Sequence, residues 1–383
     1  MLEELYKEEH HIFRESLREF VEKEVNPNKE KWEKEGIIPK SIWRKMGELG
    51  FLGFWYPEEY GGFNADFLYS VIFTEELCKS KVSGFEVGFL VHNEMATPPI
   101  LHIGNEEQKK RWLPRAARGE MIFALGVTEP FAGSDVAGIR TTAVRDGDYY
   151  IINGTKTFIT NGASCDAVTL VVKTNPKAVP PHAGISLIVV EKGTPGFSVS
   201  RKLEKLGNHA SDTAELVFED CKVPKENLLG EEGTGFYTMM QNFQRERLIA
   251  AIGNVVGAQK IIDMTIEYVR ERVAFGKPLS KFQVIRHRIV DMLTEIEMSR
   301  RFVYHCVELF MKGRDATKEI SMAKFYTAEM LNRVAYNCLQ LFGGYGYMKE
   351  YPISQAYADA RMATIAGGTS EIMKEIVAKL IDL

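Results

Sequence analysis

One carboxylate draws attention first. Glu246 stands among guanidinium side chains in Gln244-Arg245-Glu246-Arg247-Leu248. Such a group either moves a proton or is a solvated helix residue paired with neighbouring charges. Hydroxyls and backbone amides gather at Leu125-Gly126-Val127-Thr128 and again at Phe158-Ile159-Thr160, a composition suited to gripping the polar edge of a flat ring. His92-Asn93-Glu94 is a second polar run; its side chains either read a polar ligand tail or satisfy one another at a helix end. His10-His11 reads as a solvated surface pair, and no metal is suggested. Cys78, Cys165, Cys221, Cys306 and Cys338 are scattered without a CxxC pair, which points to free thiols in a reducing compartment.

The elements that must position these residues change character twice. Residues 1–121 read as helices. Phe13, Leu17, Phe20 and Val21 share one helical face before Pro27. Ser41 is placed to cap a helix that Gly50 closes, residues 65–79 read as another, and Asn105 with Gln108 forms a capping-box pattern. Pro114 is expected to kink or end that last helix. Residues 122–229 read as β. Asp146-Gly147, Asn153-Gly154 and Asn161-Gly162 are turn dipeptides, the first two between β-rich runs, and Val168–Val172, Ile185–Val190 and Ala214–Phe218 are β-branched runs that predict a sandwich or barrel. Residues 230–383 return to helix in four long segments near 234–272, 281–311, 316–342 and 354–381, the pattern of an antiparallel four-helix bundle. The predicted fold is therefore α+β and multidomain. Gly343-Gly344-Tyr345-Gly346 follows a helix, not a strand, so it fails the context of a doubly wound dinucleotide turn.

Bulk properties narrow the function classes. The chain has 383 residues, 45% hydrophobic and 26% charged, with a net charge of −4 and both signs interspersed. That balance leaves no basic footprint for nucleic acid. No uninterrupted apolar run reaches the roughly eighteen residues of a membrane span. The acidic, amphipathic start resembles neither a secretory signal nor an Arg-rich transit peptide, so a cytoplasmic location is expected.

Five segments carry a resemblance. Leu125-Gly-Val-Thr-Glu-Pro-Phe-Ala-Gly-Ser-Asp135 resembles the signature of the acyl-CoA dehydrogenase family, and Asn153-Gly-Thr-Lys-Thr-Phe-Ile-Thr-Asn-Gly162 its second β-domain motif. Arg272-Val-Ala-Phe-Gly-Lys277 resembles its helix-hairpin motif, and Gln340-Leu-Phe-Gly-Gly-Tyr-Gly346 and Gly367-Gly-Thr-Ser-Glu371 resemble two near the C-terminus. All five stand in family order and spacing from 125 to 371. The resemblance implies an FAD cofactor whose ring is held by Leu125, Val127, Thr128, Ile159 and Thr160, with Phe158 flanking it. It places Gly133 and Ser134 near the pantetheine and the flavin pyrophosphate, and Thr369 and Glu371 also on the cofactor. It implies that Arg272, Phe275, Gln283 and the Gln340, Leu341, Gly343, Gly344 turn reach the adenosine half of a cofactor held mainly by a neighbouring subunit, in a homotetramer.

The base is the informative departure. In many family members it is a glutamate directly before the Gly-Thr-Ser turn, where this chain has Gly367. The resemblance to the long-chain and isovaleryl-CoA branch puts it on the first bundle helix, at Glu246, with Arg247 as its partner in the substrate site. Tyr237, Gln244, Ser134, Gly367 and Gly368 complete the implied substrate contacts, and the Gly367 N–H is implied in the oxyanion hole. The expected reaction is α-proton abstraction by Glu246 with β-hydride transfer to the flavin, giving a trans-2-enoyl-CoA. Electrons are expected to pass to an electron-transfer flavoprotein. An oxidase using oxygen and a non-enzymatic binding relative are the competing readings. The acyl chain, whether long, branched, cyclic or aromatic, stays open.

Overall fold

The computed structural model describes residues 2–383, arranged as helices, then a sheet, then a helical bundle. In α1 (Glu8–Phe20) the i, i+4, i+7 residues Phe13, Leu17 and Phe20 are buried, as their spacing predicts. Short α2 (Lys29–Glu35) and α3 (Lys40–Glu48) follow. Extended Pro39 precedes α3, so Ser41 lies inside the first turn instead of capping it. Asp66 caps α4 (Phe67–Cys78) by accepting from the Leu68 N–H. Nearly every side chain of α4 is buried, which makes it the central post of this part.

α5 (Phe85–Leu90) runs into a π turn over Val91–Ala96, which carries His92-Asn93-Glu94, and then into α6 (Pro98–Ile103). α7 (Glu106–Ala117) opens with both reciprocal bonds of the Asn105/Gln108 capping box. It does not end at Pro114. The proline costs one N–H bond, but Leu113, Ala116 and Ala117 are buried and hold the last turn until Gly119 at φ +62°.

The middle of the chain forms one eight-stranded sheet in the order β6-β7-β3-β2-β4-β5-β8, with β1 added beside β4. The strands are β1 (Phe123–Gly126), β2 (Thr142–Asp146), β3 (Tyr149–Thr160), β4 (Ala167–Lys173), β5 (Ile185–Glu191), β6 (Phe197–Lys202), β7 (Thr213–Pro224) and β8 (Leu228–Leu229). Inward residues of β3 and β7 (Ile152, Ile159, Leu216, Phe218) share one apolar cluster with those of β4 and β5 (Val168, Leu170, Ile188, Val190), so the two halves of the sheet face each other.

Asn153-Gly154 is not a hairpin turn. β3 runs through it, with a bulge between Ile152 and Gly154 in its pairing with β7. A Cβ on Gly154 would lie 2.3 Å from Thr141 Oγ1, so the glycine serves close packing there.

The bundle holds α8 (Gly235–Glu271), α9 (Gln283–Met311), α10 (Thr317–Phe342), α11 (Pro352–Ala360) and α12 (Ser370–Leu380). The predicted helix over 354–381 is broken into α11 and α12, because Gly367 and Gly368 sit at φ +65° and +95°. α8 is long and apolar enough to cross a bilayer by length and composition, yet more than half of its apolar window is buried inside the protein. Phe13, Leu17, Phe73 and Phe85 share one core with Ile252, Val255 and Val334, so the first helices and the bundle pack as a unit.

Candidate active site

Glu246 lies in the first third of α8, where that helix passes the π turn of residues 91–96. It is 7% exposed. Burial pushes its carboxyl up to about 7, against the hydrogen bond from Asn242 and the charge of Arg247. Asn242, one helical turn earlier, donates from Nδ2 to Glu246 Oε1 at 2.7 Å.

Arg247 and Arg245 take opposite roles. Arg245 belongs to the protein: it pairs with buried Glu94 at 2.6 Å, donates to Ser70 Oγ at 2.7 Å and lies over the Trp55 ring. Arg247 is buried with its guanidinium over Phe243, and its Nε has no partner; the same holds for Gln244 Oε1 and Asn242 Oδ1. These are buried polar atoms that the fold itself leaves without a partner. His92, Asn93 and Glu94, by contrast, satisfy one another and the fold. His92 Nδ1 accepts from Phe123 N at 3.0 Å, Asn93 Oδ1 accepts from Gly53 N at 2.7 Å, and Asn93 Nδ2 donates to Glu94. Burial holds the His92 imidazole down at about 4.

The turn at Gly367-Gly368 is held from beneath by Lys324 of α10. Its buried Nζ donates to the carbonyls of Ala363 (3.0 Å) and Gly368. Burial, then the like charge of Arg247, bring this ammonium down to about 8, which ties the turn electrostatically to the α8 site. Thr369 caps α12 by accepting from Ile372 N, and Glu371 is exposed in the first turn of that helix. Gly367 is exposed, and a Cβ there would meet only Lys324 Cε, at 3.9 Å.

The two β motifs are fastened together. Thr157 N donates to Thr128 O at 2.8 Å, and Lys156 Nζ donates to Val127 O at 2.9 Å and to Glu129 at 2.8 Å. Glu129 also accepts from the Arg140 and Thr141 N–H groups. Burial pushes Glu129 up, but Lys156 and these donors more than offset it, so it sits below its ordinary range. The pair pins Val127 and Thr128 beside the end of β3. There, at a second bulge, Phe158 is held at φ +59° with its ring 69% exposed. A bulky side chain in that conformation is strained, and this one is left exposed near the end of its strand. Leu125 and Thr160 are half-buried nearby and Gly133 and Ser134 are exposed, whereas Ile159 turns its side chain into the sheet core. Tyr237 is exposed, and its hydroxyl meets His182 at 3.1 Å.

Neither Lys156 nor Glu129 was singled out by residue-level reading, although both lie within the quoted motifs. Replacing Lys156 by Met leaves a buried carboxylate without its cation, at a cost of about 3–5 kcal/mol. A thermal melt checks this; an unchanged melting temperature in Lys156→Met would contradict it.

Elsewhere, the end of the bundle opens a cavity of about 560 Å³ lined by Tyr268, Arg272, Gln340, Leu341, Gly343 and Gly344, among others. Arg272, Gln340, Leu341, Gly343 and Gly344 of the predicted adenosine contacts line it, whereas Phe275 and Gln283 do not. Arg272 lies over the Tyr345 ring, and Phe275, at the tip of the hairpin after α8, is 96% exposed at φ +51°. Gln283, the first residue of α9, is exposed close by in sequence. Arg272, the first residue past α8, follows Glu246 by about 26 residues, or roughly 39 Å at the α-helical rise. This cavity and the Glu246 site are separate places on the chain.

Three family models match in the same order as these features: the acyl-CoA dehydrogenase N-terminal domain over 7–120, the middle domain over 124–221 and the C-terminal domain over 233–381. The chain belongs to the acyl-CoA dehydrogenase family. It is 45% identical over 377 residues to the long-chain specific acyl-CoA dehydrogenase, mitochondrial, of Sus scrofa, covering 98% of this chain and 87% of that one. It is 36% identical over 375 residues to isovaleryl-CoA dehydrogenase, mitochondrial, of Pongo abelii, covering 97% and 88%. The crystal structure of an acyl-CoA dehydrogenase from Geobacillus kaustophilus superposes with a TM-score of 0.96 at 53% identity, covering 99% of both chains. As a member of this family the chain is an enzyme, an acyl-CoA dehydrogenase, and that membership supports FAD-dependent oxidation of an acyl-CoA. The residues fit that cofactor: an exposed, strained Phe158 beside pinned Val127 and Thr128 offers a ring face and a polar edge, and the open cavity around Arg272 offers an aromatic-lined cationic recess.

Proposed function

We propose that this dehydrogenase removes the α-proton of an acyl-CoA thioester with Glu246 while the β-hydride leaves to FAD, giving a trans-2-enoyl-CoA. The observation that carries this reading is the Glu246 carboxyl, buried in α8, held by Asn242 at 2.7 Å and pushed up to about 7 by burial, with Arg247 next to it in the chain. A base must be ionised to accept a proton, and one held near the working pH combines availability with driving force.

When bound, FAD supplies the hydride acceptor. The chain supplies the rest. Arg247 Nε–H stands ready for a polar group of the substrate, and the Gly367 N–H is assigned to the thioester carbonyl oxygen, which gains charge as the proton leaves. Tyr237, Ser134 and Gly368 are assigned to the remainder of the CoA. Phe158 covers the ring of the cofactor, with Leu125, Val127, Thr128, Gly133, Ile159, Thr160, Thr369 and Glu371 as its further contacts. The separation of Arg272 from Glu246 supports the borrowing of Arg272, Phe275, Gln283, Gln340, Leu341, Gly343 and Gly344 by a neighbouring subunit, and with it the homotetramer. Electron-transfer flavoprotein is the proposed acceptor of the electrons. Anaerobic addition of acyl-CoA to the yellow protein is expected to bleach it, with slow recolouring in air; rapid recolouring would assign an oxidase instead, and a colourless protein without flavin affinity would assign a binding role.

The pH dependence has a definite sign. The reactive form is the carboxylate, so kcat/KM is expected to rise with pH through about 7, where Glu246 ionises. Stopped-flow bleaching measured from pH 5.5 to 9 checks it. A flat profile across that range counts against Glu246 as the base.

A further inference from the structure

Asn242 belongs to none of the motifs, yet no residue touches Glu246 more directly. It is 6% exposed and on the same helix, one turn before the carboxylate. Nδ2 serves two acceptors, Glu246 Oε1 at 2.7 Å and the main-chain carbonyl of Met95 at 3.3 Å. A main-chain carbonyl can only accept, so these two partners fix which end of the amide faces them. The other end, Oδ1, is buried and without a partner. A buried acceptor left empty costs on the order of 1–3 kcal/mol unless something else meets it.

We propose that Asn242 is the positioning residue of the proton transfer: its Nδ2 N–H holds the Glu246 carboxylate and favours the ionised form that accepts the proton. This rests on Glu246 being the base. In the step itself the α C–H bond breaks and its proton forms an O–H bond on Glu246. The electron pair stays on the substrate carbon and becomes the new C=C bond as the β-hydride departs to the bound cofactor.

The charged groups around Glu246 do not perform this task. On α8, Arg247 acts on it through space, and Arg245 is closed into its pair with Glu94 of the π turn. Lys324 of α10 is spent on the carbonyls of Ala363 and Gly368, and Glu371 of α12 and Glu329 of α10 act on Lys324. Among the described residues, the only hydrogen bond to the Glu246 carboxylate comes from Asn242.

The test uses the flavin-loaded enzyme with Asn242→Ala and with Asn242→Leu, whose similar shape covers the case in which the alanine cavity prevents folding. Removing the donor destabilises the carboxylate, so the acid limb of the bleaching rate is expected to move up by about one pH unit. Turnover at pH 7 then falls roughly fivefold and largely returns by pH 9.5. Flavin content and KM for the acyl-CoA stay near those of the parent. A loss that is uniform across pH, or a raised KM with an unmoved limb, overturns the proposal and leaves Asn242 a structural residue. If Glu246→Gln keeps its turnover, the base assignment itself falls and takes this inference with it. If Glu246→Gln is inactive while the Asn242 limb stays in place, only the role of Asn242 falls.

Discussion

Glu246→Gln is expected to lose most of its turnover, roughly 10²–10⁴-fold, while keeping its colour and its fold. The amide has the shape of the carboxyl and can still accept from Asn242 Nδ2, so the site stays assembled without its base. Stability supplies an independent check. The folded state raises the Glu246 carboxyl to about 7 from its ordinary 4.5, so it binds a proton that the unfolded chain releases between those values. Ionisation therefore costs the folded state nothing below about 4.5 and its full penalty above about 7. Glu246→Gln removes that penalty and is expected to melt higher than the parent at pH 8, with little difference at pH 4.5. Undiminished turnover in Glu246→Gln would sink the assignment. A second variant tests the vacancy at the C-terminal turn: Glu246→Gly with Gly367→Glu is expected to recover part of the activity. The position is open, with only Lys324 Cε 3.9 Å from a new Cβ. Recovery stays partial because a glutamate at φ +65° is strained and a glycine in the interior of α8 costs about 1 kcal/mol.

Arg272→Glu is expected to strip flavin from the protein, and mixing it with Glu246→Gln is expected to restore activity that neither variant has alone. The physical reason is the roughly 39 Å of helix between the two residues. A single chain presents Glu246 at one place and the cavity around Arg272 at another. In a mixed assembly the Arg272→Glu chain keeps Glu246 and borrows an intact Arg272 from its Glu246→Gln neighbour. Random pairing makes about half of the pairs mixed, each with one complete site of two, so activity near a quarter of the parent is expected. Co-refolded variants assayed by acyl-CoA bleaching decide it. Mixtures no more active than the separate variants would show that each chain builds its own site.

Much of this site was visible in one dimension because its chemistry is local. The hydroxyl- and glycine-rich motifs sit on turns and strand ends, where the residue type dictates the backbone. Asn105 with Gln108 is the cleanest case, since a capping box closes within a single turn and both of its bonds form. Predictions failed where a distant surface outvoted the local preference. Pro114 stays helical because buried neighbours hold the next turn, and Asn153-Gly154 stays in a strand because Thr141 and β7 pack against it. The 354–381 helix breaks at two glycines whose φ values its apolar periodicity did not reveal.

What the sequence alone determined is the order of helical, β and helical parts, the family, and the glycine at 367 that motivates the proposal of Glu246 as base. These depend on residue identity and spacing, which one dimension records. Only the tertiary structure decided the electrostatics. Burial brings Glu246 to about 7, the Lys156–Glu129 pair clasps two motifs, Lys324 supports the Gly368 turn, and Asn242 holds the base. Desolvation is a property of everything that surrounds a group. A carboxylate written between two arginines therefore reads as a surface charge until the fold removes the water from around it.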